Sequence, residues 1–180
     1  TRTFPSETRL YEYLDAFHDP SQEEQRQEGR AFIPAKNAHL KGLEEVNQAL
    51  VASVQRHAPA TEATLDIDAT LQETHKSQAF YCYKGYPAYQ PVSAYWAETG
   101  LMVHSEFRDG NVPAGYDILR VLKDALAALP EGVERVRVRM DTAGYEHKTL
   151  RYMATGDGGR RAVIEFTVSC DMTAEFRQAA

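Results

Sequence analysis

The chain has 180 residues, with 20 Lys+Arg against 26 Asp+Glu, a formal net charge of −6 at pH 7 and 43% hydrophobic residues. This is a soluble globular composition sufficient for one core. No apolar run approaches the roughly 18 residues of a membrane span, and the polar start Thr1-Arg2-Thr3-Phe4-Pro5 lacks the apolar stretch of a secretion signal. The acidic balance argues against a domain given over to coating nucleic acid, because phosphate binding rests on Lys and Arg.

Residues 5–57 have a helical pattern. Ser6 can cap a turn after Pro5, and Leu10, Leu14 and Phe17 share one helix face that ends near His18-Asp19-Pro20. Residues 21–30 are polar without apolar periodicity, a solvated helix or a loop. Leu40, Leu43, Val46, Leu50 and Val54 predict a second amphipathic helix that Ala58-Pro59 terminates. From Ala63 the period shortens to two, and Leu65 and Ile67 alternate with Asp66 and Asp68. Aromatic and β-branched runs at 79–83, 91–96 and 101–107 predict further strands, the last two joined by a Glu98-Thr99-Gly100 turn. A helix over 116–129, a strand over 133–141, a short helix over 145–153 and a strand over 161–170 follow. Asp171-Met172-Thr173 then opens a last helix. This order predicts an α/β layer fold with a mixed sheet. Cys82 and Cys170 lie outside any CxxC or Cys/His cluster, so neither a disulfide framework nor a zinc site is expected and a reducing cytoplasm is the expected compartment. A first residue of Thr is what a processed or excised piece would show.

Asp66 and Asp68 place two like charges on one strand face, which costs stability unless positive charge lies nearby. A divalent ion would supply it, and oxygen-only ligation points to Mg²⁺ or Mn²⁺. The alternative is an edge strand with that face in water. Arg135, Arg137 and Arg139 alternate with Val136, Val138 and Met140, and the row ends in Asp141. Strand C-terminal ends are where α/β sheets place ligand-binding groups. If the two strands are neighbours, Asp68 and Asp141 approach one another as a two-metal phosphoryl-transfer site requires. Asp141 can alternatively cap a helix before Tyr145. Arg137 and Arg139 can steer a phosphate backbone, or belong to a solvated face paired with Glu131 and Glu134. Arg108 and Asn111 can touch DNA or shape the turn around Gly110. The aromatic group that includes Tyr81, Tyr83, Tyr95 and Trp96 fits core and sheet packing better than stacking on bases.

Several of these segments carry a family resemblance. Asp66-Ile67-Asp68-Ala69-Thr70 resembles the Asp-Ile-Asp-Ser/Ala-Thr motif of DDE-type transposases of bacterial insertion sequences, in their group 1 branch. Arg139-Met140-Asp141-Thr142-Ala143-Gly144-Tyr145 resembles that branch's Arg-x-Asp-Ser-Gly-Phe/Tyr motif, and Arg108-Asp109-Gly110-Asn111-Val112 its Arg-x-Gly-Asn-Val turn. Tyr89-Gln90-Pro91-Val92 and Ala31-Phe32-Ile33-Pro34 match more loosely.

The resemblance implies an N-terminal helical segment (1–60) followed by a partial ribonuclease H-like catalytic core (61–180). It makes Asp68 and Asp141 the first two carboxylates of an Asp-Asp-Glu triad that binds two Mg²⁺ ions, with Asp66 as a possible helper ligand. It also implies double-stranded transposon-end DNA as substrate and a homodimer within a synaptic complex. The family's third carboxylate lies in a Tyr-x-x-Arg-x-x-x-Glu helix that has no counterpart here, and neither Glu165 nor Glu175 substitutes for it. The expectation is therefore a fragment of a transposase, inactive alone. The alternative is a non-catalytic DNA-binding or assembly module from a decayed mobile element. A glycosidase with two carboxylates is a third possibility that the Asp-Ile-Asp-Ala-Thr motif does not favour.

Overall fold

The computed structural model describes residues 4–156 and 164–179. Ser6 caps α1 (Glu7–Asp15), its hydroxyl oxygen accepting the Arg9 N–H at 3.4 Å. The polar stretch holds one helical turn, α2 (Pro20–Glu23), capped by Asp19, and then unravels into turns. Asn37 starts α3 (Ala38–His57) by accepting the Leu40 N–H at 3.0 Å, and the helix stops before Ala58-Pro59.

The sheet elements are β1 (Glu62–Ala69), β2 (Gln72–Glu73), β3 (Ala88–Tyr89), β4 (Val92–Trp96) and β5 (Leu101–Glu106). After them come α4 (Ile118–Ala128), β6 (Arg135–Met140), α5 (His147–Thr155), β7 (Ile164–Val168) and α6 (Ala174–Ala179). Five strands form one mixed sheet in the order β5-β4-β1-β6-β7, with β4 antiparallel to both β1 and β5, and β6 parallel to both β1 and β7. A central strand with an antiparallel meander on one side and parallel crossover strands on the other, flanked by helices, is a ribonuclease H-like architecture. It places β1 at the centre of the sheet, so the edge-strand alternative for Asp66 and Asp68 fails. The wet-face part of that alternative holds, since Asp68 is exposed and Asp66 partly so.

The core lies on one face of the sheet. Leu65, Ile67, Val136 and Val138 meet Ile118, Val121, Leu122, Ala125 and Leu126 of α4, with Val51 of α3 and Met153 of α5 joining the same cluster. The other face carries Arg135, Arg137 and Arg139, each at least half exposed.

Three expectations change. The 79–83 run is not a strand: it pairs only through a single Tyr81–Pro87 bridge, because proline has no N–H with which to extend a ladder, and Gly85 at φ 83° turns the chain back. Trp96 is buried as expected of the aromatic group, but Tyr81 and Tyr83 are 60% and 78% exposed. The apolar stripe of α3 also does not enter the core, since Val51 is that helix's one buried residue. The start of the expected 161–170 strand falls outside the described residues.

Candidate active site

β1 and β6 run parallel with Ile67 level with Met140. The next residue on each strand is an aspartate, Asp68 and Asp141. Alternation turns both away from the core, at the same end of the sheet. They line one small cavity with Ala69, Ala114, Ala143 and Gly144, floored by Ile67 and Met140. Asp141 also caps a single 3-10 turn (Thr142–Gly144), its Oδ1 accepting the Ala143 N–H at 2.9 Å. The capping reading and the site reading are therefore compatible, because one oxygen fixes the carboxylate and the other stays open. Asp68 Oδ2 has a long contact of 3.4 Å from the Thr70 hydroxyl, and its Oδ1 accepts no hydrogen bond among the described residues. Gly144 is needed beside this cavity, since a Cβ there would lie 2.6 Å from the Met140 Cβ.

Asp66 is engaged elsewhere. Both of its oxygens accept from the Arg139 guanidinium, the Nη2–Oδ2 bond measuring 2.5 Å. The positive charge that its strand position calls for comes from Arg139 on the neighbouring strand.

The model of the family described as transposase DDE domain group 1 matches residues 19–179. The chain belongs to this family. No match was found among curated proteins or among solved structures.

In this transposase DDE domain the four residues expected at DNA have other partners. Arg108 is fully buried; its Nε donates to Glu106 Oε1 at 2.8 Å and its Nη1 to the carbonyls of Pro113 and Ala114. Its guanidinium is out of reach of solvent in this conformation. Asn111 donates to the carbonyls of Gln27 and Arg30, so it fastens the N-terminal segment and shapes the turn. Arg137 Nε donates to Glu165 at 2.8 Å and Nη1 lies 3.3 Å from Glu62, while Arg139 holds Asp66. Three arginines thus face Glu62, Asp66 and Glu165, each cation paired with a carboxylate. The partners are cross-strand carboxylates, not Glu131 and Glu134, because residues level with one another in neighbouring strands meet.

One tertiary contact has no counterpart among the sequence expectations. Arg26 forms a bidentate pair with buried Asp109, 2.8 Å to each oxygen, and Arg26 Nη2 also donates to the Gln78 carbonyl. Hydrogen bonding to Asp109 holds the Arg26 guanidinium above its ordinary pKa. The Arg-x-Gly-Asn-Val turn thus clasps residues 26–30 to the sheet domain. Gly110 allows this approach, since a Cβ there would sit 2.6 Å from the Ala88 carbonyl oxygen. The available signal was an arginine in a polar run and an aspartate in a tight turn, and only the tertiary fold joins them.

Proposed function

We propose that Asp68 and Asp141 supply the first two carboxylates of a divalent-metal centre that cuts and joins double-stranded transposon-end DNA. The observation that carries this is their common position: adjacent parallel strands, the same end, one cavity, and an oxygen on each without a hydrogen-bond partner among the described residues. Two hard oxygen donors suit Mg²⁺ or Mn²⁺, which are bound through one or two carboxylates with phosphate and water completing the shell. A bound ion there would neutralise phosphate oxygens and raise the acidity of an attacking hydroxyl. Asp141 stays oriented through the Ala143 N–H. Two copies acting together at paired DNA ends belong to the same reading, as does a cytoplasmic location. Among the described residues no helix is long and apolar enough to cross a membrane.

Among the described residues no three His, Cys, Asp or Glu side chains converge as a metal cluster. Glu165 is held by Arg137 on the open sheet face, and the side chain of Glu175 lies outside the described residues. A polypeptide of these 180 residues alone is therefore expected to bind metal weakly and to transfer no DNA strand. The missing third carboxylate favours the second reading for this polypeptide, a non-catalytic DNA-binding or assembly module.

Mn²⁺ titration followed by electron paramagnetic resonance tests the centre. Asp68→Asn and Asp141→Asn should each abolish the binding seen in the wild type, and Asp66→Asn should leave it. Binding unchanged in both of the first two variants rejects the centre. Strand transfer by the wild type above an Asp68→Ala/Asp141→Ala control rejects the module reading.

A further inference from the structure

Between β1 and β4 the chain makes an excursion over residues 70–91. Its root closes where the Thr70 N–H donates to the Pro91 carbonyl at 3.1 Å, just beyond Asp68 in the sequence. Residues 72–73 then pair with 88–89, and a Tyr89–Asp109 bridge joins the turn at Gly110 to the other side. This arm therefore leaves the sheet at the end that carries Asp68 and Asp141.

The outer part of the arm is a braced turn. Tyr81 bridges Pro87, the Cys82 N–H donates to the Tyr86 carbonyl at 2.9 Å, and the Gly85 N–H returns to the Cys82 carbonyl at 2.9 Å. Ala79, Cys82 and Ala88 are buried. The Arg26 guanidinium lies over the Phe80 ring, 4.9 Å from its centroid, so the clasp also fixes the arm. What this frame holds outward is Tyr83 and Lys84, with exposed Tyr81 near them. Lys84 Nζ lies 5.8 Å from the Tyr83 ring centroid, and Lys84 has no ion pair among the described residues.

Charge names the partner. Residues 74–97 contain no Asp or Glu, the longest such stretch in a chain with 26 of them, and they include His75, Lys76 and Lys84. Lys76 is likewise exposed and without an ion pair among the described residues. The arginines of β6, by contrast, are paired with carboxylates. An unpaired cation beside a hydroxyl-bearing ring, on a stretch free of carboxylates, suits a polyanion.

We propose that the turn at Tyr83-Lys84 holds the backbone of duplex DNA, Lys84 pairing with a phosphate and the Tyr83 hydroxyl donating to a phosphate oxygen of the same strand. This rests on the reading of Asp68 and Asp141 as a DNA-processing centre and gives the duplex a second hold. Ser93 stands level with Asp68, and the extended chain from there back to Tyr86 spans at most about 23 Å. At about 3.4 Å per base pair, the hold falls within about seven base pairs of the phosphate at the centre. Contacts of this kind position a duplex without reading its sequence.

Fluorescence anisotropy with a labelled duplex of arbitrary sequence, several helical turns long, tests it in EDTA over a salt series, with circular dichroism confirming that each variant folds. EDTA removes divalent ions, so this test and the metal test fail separately. The wild type should bind, and binding should weaken as salt rises. Lys84→Ala should weaken it about fivefold and lower the slope of log K against log salt by about 1. Lys84→Arg should keep both at the wild-type level, and Tyr83→Ala should weaken binding about fivefold. Lys41→Ala, at an exposed cation on α3, should change neither quantity. No binding by the wild type, a slope unmoved by Lys84→Ala, a Tyr83→Ala variant that binds as well as the wild type, or equal losses in Lys84→Ala and Lys41→Ala overturns the proposal.

Discussion

The sheet domain and the N-terminal helices use apolar residues in opposite ways. Between α4 and the sheet, Leu65, Val121, Leu122 and Val138 are completely buried. In the first fifty residues, Leu10, Leu14, Leu43, Val46 and Leu50 are about as periodic yet remain 48–67% exposed. Periodicity therefore reports that a face is apolar, not what covers it. The N-terminal segment is held by polar fasteners instead: Arg26 on Asp109, and Asn111 on two carbonyls. A region attached by charge pairs can keep its apolar side free for another surface.

The sharpest test of that contrast is at Arg108, since the buried arginine serves the sheet domain despite being polar. Arg108→Ala leaves Glu106 with only the Arg120 contact and strands the Pro113 and Ala114 carbonyls. It should cost about 3–5 kcal/mol in urea denaturation. Leu122→Ala should cost about 3 kcal/mol, through lost burial and a residual cavity. Leu43→Ala on the exposed stripe should stay within about 0.5 kcal/mol in dilute monomer. Equal losses at the two leucines would erase the distinction between the regions. Asp109→Ala should cost about 1–2 kcal/mol by removing both Asp109 bonds of the part-buried Arg26, which keeps only Glu23 and the Gln78 carbonyl. Limited proteolysis should then cut within residues 20–37 while the sheet resists.

The smallest effect is expected from pH. His104 sits where α3 meets β5, and burial holds its imidazole below the ordinary pKa. Lys36 adds to this, while Asp124, Glu44 and Glu106 oppose it. The unfolded chain, with a value near about 6.5, then takes up the proton more readily than the folded chain. Stability is fully present above that pH and is lost as pH falls below it. The melting temperature should drop between about pH 7 and pH 5, and His104→Gln should flatten the slope.

Much of the fold was legible because local signals agree with it. Ser6, Ala58-Pro59 and the Glu98-Thr99-Gly100 turn bound elements where such residues act. The alternation around Leu65 and Val138 gave two strands, and the mixed α/β class followed. The Asp68 and Asp141 positions were also readable, since each ends a strand beside small residues. What the sequence could not reveal was pairing across distance. The Arg139 partner of Asp66 stands 73 positions away, and Arg108 looks like a surface cation until the loop at Pro113 closes over it. The 79–83 run has the composition of a strand but, apart from one bridge, no partner.

The clasp also imposes an order on synthesis. Arg26 and Asp109 are separated by 83 positions, so on a ribosome adding roughly 5–20 residues per second the N-terminal segment waits several seconds for its anchor. During that interval α3 can form locally, but its outward stripe and the side meant for β5 are both bare. A segment that emerges before the sheet is thus among the last to be secured.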